Sequence, residues 1–408
     1  MVSNDAPSRR RRTFDYIVVG AGTAGCIVAG RLGENPDVSV LVIEAGGQDR
    51  DPLIHIPLGM GRMHARRSHD WGFDIEPEET TGLREIEAMR GKVVGGSTAI
   101  NHMSHVRGNR GDYDRWAATG LTGWSYAEVL PYFRRSETWA GGADEYRGGD
   151  GPLSIVPASS KDPLLEAFIE AGGECGLPYN KDYNGAAQDG MGRGQFTIKS
   201  GRRHTAADAY LRPAMRRGNV TLMTNTHVAS VMLEGRRAIG IRAVRAGRSE
   251  EILAEREVIL SAGAFNTPQI LMLSGLGPAD ALQGHGIKTV CSLSGVGANL
   301  QDHLGVMVSA ERPVPGPFQA QLRADRMTIS MIRAHLFGTG PATMLPGGLH
   351  GYLRLDKSLG VPDVQLMFRA VNAHPHLWFP GVWKPNKDSC GVRVNLIHPK
   401  SRGTIKLR

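Results

Sequence analysis

No apolar run in this 408-residue chain reaches 18 residues, so no segment is long enough to cross a bilayer as a helix. Cysteine is scarce. The four present, Cys26, Cys175, Cys291 and Cys390, stand far apart with no Cys-x-x-Cys pair, which argues against a zinc site and against a disulfide framework. They suit a reducing cytoplasm. The fourteen histidines are scattered, and the closest pairs, His102/His105 and His374/His376, lack a third clustered ligand, so no metal is expected. The net charge of +8 includes one dense basic run, Arg9 to Arg12, but no aromatic residue interleaves it. Such a polar arm ahead of a buried strand is usually solvated, and no nucleic-acid partner is expected. Arg11-Arg12-Thr13-Phe14 echoes a twin-arginine export signal. The apolar stretch after it is short and runs into a glycine motif, so no cleavable signal is expected.

What the chain has in quantity is glycine. Its 53 glycines fall in tight clusters between apolar runs and follow no repeat, which excludes collagen-like and low-complexity readings and assigns them to backbone turns. The first cluster is the most telling. Phe14 to Val19 reads as a short buried strand, and Gly20-Ala21-Gly22-Thr23-Ala24-Gly25 follows at once. It opens a helix with Cys26, Val28, Ala29 and Leu32 as inward positions. Gly20 permits the tight turn, Gly22 lets backbone approach a pyrophosphate, and Gly25 allows close helix-to-strand packing. The phosphates would sit at the positive end of the helix. A second β-rich run, Val38 to Ile43, ends in Glu44, 19 residues after Gly25. A carboxylate there accepts hydrogen bonds from a ribose and repels a 2′-phosphate. These residues point to a dinucleotide and leave NAD and FAD both open.

Other segments decide between them. Arg90-Gly91-Lys92-Val93-Val94-Gly95-Gly96-Ser97-Thr98-Ala99-Ile100-Asn101 continues to Arg107-Gly108 and then to Asp112-Tyr113-Asp114-Arg115-Trp116. Gly263-Ala264-Phe265-Asn266-Thr267-Pro268 leads through Ile270-Leu271 to Ser274-Gly275-Leu276-Gly277. Thr267 is placed to cap a helix, with Pro268 in its first turn and Gly275 at its left-handed exit. Gly201 to Thr205, Ala209 to Pro213, Gly295 to His303 and Pro399 to Thr404 follow in order. In these motifs, from residue 14 to 408, the chain resembles the glucose-methanol-choline (GMC) family of FAD-dependent oxidoreductases.

That resemblance implies FAD as cofactor and oxidation of a small-molecule alcohol by hydride transfer to flavin N5, in the manner of a choline dehydrogenase or an alcohol oxidase. The electron acceptor would be O2 or a quinone. By similarity, Gly20, Gly22, Thr23, Ala24 and Gly25 hold the pyrophosphate, Glu44 with Ala45 beside it the adenosine ribose, and the Val228 backbone the adenine. Val94, Gly95, Gly96 and Asn101 line the isoalloxazine, and Ala262-Gly263 closes on the dinucleotide from another strand end. His105 stands where the family more often has an aromatic residue, on the expected substrate side. Ile100 occupies the position where some members carry a flavin-linking histidine, so noncovalent FAD is expected, with His102 and His105 the only nearby alternatives. The family's catalytic histidine and its histidine or asparagine partner are expected beyond Arg408, so no base is nominated within the chain, and a further C-terminal polypeptide is implied. Two other readings accompany the leading one: a hydroxynitrile-lyase-type member with structural flavin, and a non-catalytic fragment or half of a split enzyme.

The expected fold is α/β, α+β overall: a Rossmann-like FAD-binding domain, discontinuous in sequence, and a substrate domain built on an antiparallel sheet. The expected division is a basic arm at 1–13, the FAD-binding domain at 14–150 and 215–305 with the signature loop at 90–110, and the substrate domain at 151–214 and 306–408. Val220 to Thr224, Val228 to Leu233, Asp363 to Arg369 and Val392 to Ile397 read as strands, and Gly403 to Arg408 alternates as a strand would. Region 315–345 admits two readings, a mobile lid or a helix packing its apolar face, of which the second is favoured.

Overall fold

The computed structural model describes residues 12–372 and 375–408. Arg9 to Arg11 of the basic run and His374 lie outside the described residues. Two sheets organise the rest. The first takes β1 (Arg12–Val19), β2 (Val40–Ile43), and, after a long excursion, β4 (Val220–Met223), β5 (Thr226–Glu234), β6 (Arg237–Arg245) and β7 (Arg248–Leu260). The second takes β3 (Gly190–Arg193), β8 (Leu304–Glu311), β9 (Leu349–Leu353), β10 (Val364–Arg369) and β11 (Ser389–Leu396).

Strand order in the first sheet is β4-β2-β1-β7-β6-β5. The four strands around β1 are parallel, and β5 and β6 add an antiparallel hairpin on β7, turned at Gly235 with φ +59°. Val40 to Ile43 are all buried, as a continuous apolar run in a parallel strand requires. One face of β1, β2 and β4, through Val18, Val40, Val42 and Val220, packs on α1 (Thr23–Leu32) and on Ala206 to Ala214. The other face, through Ile17, Leu41 and Ile43, packs with Val231, Ile241 and Ile252 of the hairpin strands and β7, and with Ile270 of α3 (Gly263–Leu273). The second sheet runs β8-β11-β10-β9-β3 and is antiparallel throughout. Leu349, Phe368 and Met191 on one of its faces pack with Leu165 and Phe168 of α2 (Pro163–Glu174).

Two local expectations are corrected. Thr267 does not cap α3, which starts four residues earlier at Gly263, because Gly263 adopts φ +84° and turns the chain directly from strand to helix. Pro268 therefore lies inside the helix and not in its first turn; the exit at Gly275, φ +80°, is as expected. Gly403 to Arg408 form no strand: Leu300 and Gly403 bridge each other, and the Ile405 N–H donates to Gly297 O, so this segment is tied to 297–300 at points only. In the 315–345 region, α4 (Ala324–Phe337) is a helix, as the second reading has it, but it buries only Met327, Ser330 and Ala334 and leaves Ile329, Ile332, Leu336 and Phe337 exposed.

Candidate functional site

The site grows from the β1–α1 turn. Gly20, at φ +99°, passes so close to the end of β7 that an added Cβ would lie 2.6 Å from Ser261 O. At Gly25 it would lie 1.9 Å from Gly20 O, so the helix can close on the strand only with glycine there. Gly22 is different. A Cβ on it would meet nothing nearer than Gly96 Cα at 3.9 Å, whereas a Cβ on Gly96 would come within 2.6 Å of Gly22 Cα. Two bare stretches of backbone, one from the glycine turn and one from the 95–96 loop, thus face each other across the start of α1. No side chain caps that helix start, leaving its first N–H groups for a ligand.

These segments border a cavity of about 430 Å³. Gly20, Gly22, Thr23 and Ala24 line it, as do Glu44, Ala45, Gly96, Val228, Ala262 and Gly263. Glu44 is buried, and its carboxylate accepts from the Ala21 N–H at 2.9 Å and the Gly46 N–H at 2.8 Å. Burial raises its pKa against those two bonds and the pull of Lys92. The acid therefore also pins the glycine turn to the end of β2, a structural part that the spacing did not reveal. Val228 sits beside a register shift between β5 and β6, where the ladder is locally interrupted.

Four other expected residues do not line the cavity. Gly25 and Val94 are buried, Val94 within the core that includes Val18 and Ala21. Gly95 donates its N–H to Ala21 O at 2.8 Å, joining the signature loop to the glycine turn. Asn101 Oδ1 accepts from Arg203 Nη1 at 3.0 Å and from the Met103 N–H at 2.9 Å. Ile100 is 3% exposed and packs with Ile54, Met63 and Val93.

His105 does not line this cavity. Its Nε2 lies 3.1 Å from Glu137 Oε2 in a buried cluster, where Arg107 Nη2 and Arg147 Nε each donate to Glu137 Oε1 at 2.7 Å. Arg147 reaches on to Asp182 at 2.8 Å and Gln195 at 2.9 Å. Burial pushes the Glu137 carboxyl up, but the bonds from His105 and Arg147 and the charge of Arg107 outweigh it and hold its pKa at about 2. His102 behaves otherwise. Its ring meets the His64 ring edge-on at 5.1 Å. Desolvation, then the charges of His64, Arg393, Arg203 and Arg369, bring its pKa down to about 4.

Sequence reasoning missed an aromatic and cationic border to the cavity. Trp71, His227 and Phe265 line it, Lys92 Nζ lies 4.5 Å from the Trp71 ring, and the Arg90 guanidinium 4.4 Å from that of Phe265. Cation–π contacts of this kind join residues far apart in sequence, and only the Trp71-Gly72-Phe73 cluster hinted at them. Among the described residues, no group of three or more His, Cys, Asp or Glu is placed to hold a metal ion.

Comparison with known proteins adds a family. The model for GMC oxidoreductases matches residues 14–305. An oxygen-dependent choline dehydrogenase of Brucella anthropi is 41% identical over 395 residues, which cover 97% of this chain and 71% of that relative. Another, of Rhizobium etli, is 40% identical over 394 residues with the same coverage, 97% and 71%. Among solved structures, pyridoxine 4-oxidase from Mesorbium loti superposes with a TM-score of 0.82 at 31% identity, covering 97% of this chain and 73% of that one. A variant of an Aspergillus oryzae formate oxidase gives 0.83 at 28% identity, with coverage of 97% and 74%.

Proposed function

This chain belongs to the GMC oxidoreductase family, as an FAD-dependent oxidoreductase, and from that premise we propose how its residues divide the work. The observation that carries the reading is the bare approach of Gly22 to Gly96 over the start of α1, beside the buried Glu44. That cradle fits a dinucleotide: backbone N–H groups for the pyrophosphate, a carboxylate for the ribose hydroxyls, and the Val228 backbone at an interrupted ladder for the adenine. Gly95 and Gly96 would carry the flavin ring, with buried Val94 holding their loop and Asn101, exposed and bonded to Arg203, beside it.

Bound there, FAD would supply the two-electron acceptor for oxidation of an alcohol to a carbonyl compound by hydride transfer. The substrate is a small alcohol, and O2 is the acceptor favoured by the relatives, which are oxygen-dependent choline dehydrogenases. Noncovalent attachment follows from Ile100, which carries no nucleophile, and from His105, which is held by Glu137; acid release of the flavin tests the remaining alternative, His102. The four cysteines are all free, which suits the cytoplasm, and no helix among the described residues is long and apolar enough to cross a membrane.

The test is flavin retention and bleaching. Gly22→Val should keep the folded circular-dichroism spectrum and lose the yellow cofactor, because its Cβ meets no protein atom closer than 3.9 Å while the branched side chain fills the cradle. Acid should release free FAD from the parent protein, and primary alcohols should bleach the flavin anaerobically. Stoichiometric FAD in Gly22→Val, or a flavin that no alcohol reduces, would overturn the reading.

A further inference from the structure

The second sheet has two unlike faces. Side chains alternate across a strand, so Leu366 and Phe368 of β10 turn to the core under α2 while Gln365, Met367 and Arg369 share the opposite face. The registers extend that face sideways: Gln365 pairs with Asn395, Met367 with Arg393, and Arg393 in turn with Met307 of β8. Its polar groups form a chain. Gln365 Nε2 donates to the Tyr352 hydroxyl at 2.8 Å, Asn395 Nδ2 to Gln365 Oε1 at 3.1 Å, and Arg393 Nε to Asn395 Oδ1 at 2.9 Å. Gly305 makes room for this arrangement, since a Cβ there would lie 2.7 Å from Arg393 Nε.

The chain of bonds ends at the Arg393 guanidinium, and a second guanidinium, that of Arg369, shares the face. Among the described residues, neither Arg369 nor Arg393 forms an ion pair, in contrast to Arg312 with Asp162 and Arg147 with Glu137. Arg369 Nε is buried with no hydrogen-bond partner, and Nη2 reaches only the Met307 thioether at 3.6 Å, a weak acceptor. Arginine cannot shed its proton to relieve this, and its planar fork matches a carboxylate.

The face lies within electrostatic reach of the signature loop. Both arginines act on His102, the exposed neighbour of Asn101, together with Arg203, which bonds Asn101 directly. The charged groups that weigh most on His102 are therefore all basic. A quaternary ammonium entering the same space meets only repulsion from them, and a carboxylate meets attraction.

We propose that Arg369 and Arg393 are a specificity subsite for a substrate carboxylate, so that the alcohol this protein oxidises bears an acid group in place of the cationic group of choline. The proposal rests on alcohol oxidation at the FAD site described above. It makes the two arginines substrate-positioning residues, remote from the hydride transfer itself.

The experiment uses the FAD-loaded protein and three probes: benzoate and tetramethylammonium as non-oxidisable ligands read by flavin difference spectra, and 4-(hydroxymethyl)benzoate against benzyl alcohol as substrates. Benzoate should bind at least tenfold more tightly than tetramethylammonium. Arg369→Met or Arg393→Met should weaken benzoate at least tenfold, and Arg369→Lys should recover part of the loss. Retained FAD in each variant reports that the fold is intact. The acid-bearing alcohol should exceed benzyl alcohol in kcat/KM at least tenfold, through KM, with the advantage gone in the methionine variants. Benzoate affinity unchanged in both methionine variants, or preference for tetramethylammonium, overturns the subsite. Bleaching by choline with indifferent arginine variants would sink the subsite alone. Arginine-dependent benzoate binding without bleaching by any alcohol would uphold the subsite and sink the oxidation reading.

Discussion

The two sheets solve the problem of an exposed surface in different ways. In the first, β2 is buried from end to end, and helix, hairpin and loop cover both faces. In the second, β8 is exposed along nearly its whole length, with Leu304 64%, Val306 59% and Val308 62% accessible, and no further strand pairs with it among the described residues. The first sheet is closed by its own chain and tolerates little change. The second keeps one polar face for a ligand and one apolar edge, and an exposed apolar edge invites association, while substitutions at exposed positions usually change stability little.

Substitutions can break or sharpen that contrast. The largest effect is expected at Gly25, where a Cβ would meet backbone oxygen at 1.9 Å and neither strand nor helix can give way. Gly25→Ala should cost about 4 kcal/mol or more and yield no cooperative melting transition, the upper range for a single substitution. A normal melting curve would show that the first sheet is looser than its packing indicates.

Next comes Glu137, which lies between the two sheets in the chain and is fully buried. Glu137→Gln leaves Arg107 and Arg147 without their carboxylate, a loss of roughly 3–5 kcal/mol in urea unfolding. Because the folded pKa is depressed to about 2, the stabilisation is fully present above the unfolded value near 4.5. It should disappear as pH falls from about 4.5 toward about 2. Stability of the variant and the parent should converge over that window, and parallel curves would remove Glu137 from its place in the network.

Glu44→Ala should be milder for the fold and specific for the cofactor, losing a charge-assisted bond of roughly 1.5–3 kcal/mol in FAD affinity by titration. Equal affinity would mean that Glu44 serves only the turn it pins. The smallest effect belongs to the open edge: Val306→Lys should change unfolding free energy by less than about 0.5 kcal/mol while reducing self-association in sedimentation. A large loss of stability would reveal that β8 is covered after all.

What could be read from the sequence follows from how local each signal is. The β1–glycine–α1 unit and Glu44 lie within 33 residues, from Arg12 to Glu44, so spacing alone carried them. Strands β4, β5, β10 and β11 likewise declared themselves by apolar run or alternation. The start of α3 was misplaced because Thr267-Pro268 imitates a helix start, while the true start depends on the left-handed backbone of Gly263. The Glu137 cluster was invisible, since its members come from positions 105, 107, 137, 147 and 182 and meet only in the fold. Arg369 and Arg393 are legible in the sequence: both occupy outward positions of alternating strands, and Arg393 pairs with Met367, which places it diagonally across from Arg369 on the same face.

The Glu137 cluster also has an evolutionary consequence. Two arginines, a histidine and a glycine N–H converge on one carboxylate, and one of those arginines also holds Asp182 and Gln195. Effects of changing such partners are not additive, because each single replacement strands the charge of another. Descendants of this chain can therefore alter the cluster only in concert, and intermediates that carry one change bear the full cost. The outward faces of the second sheet have no such lock. New substrate preferences should arise there first, by single steps, while the wiring around Glu137 keeps the signature loop where the cofactor needs it.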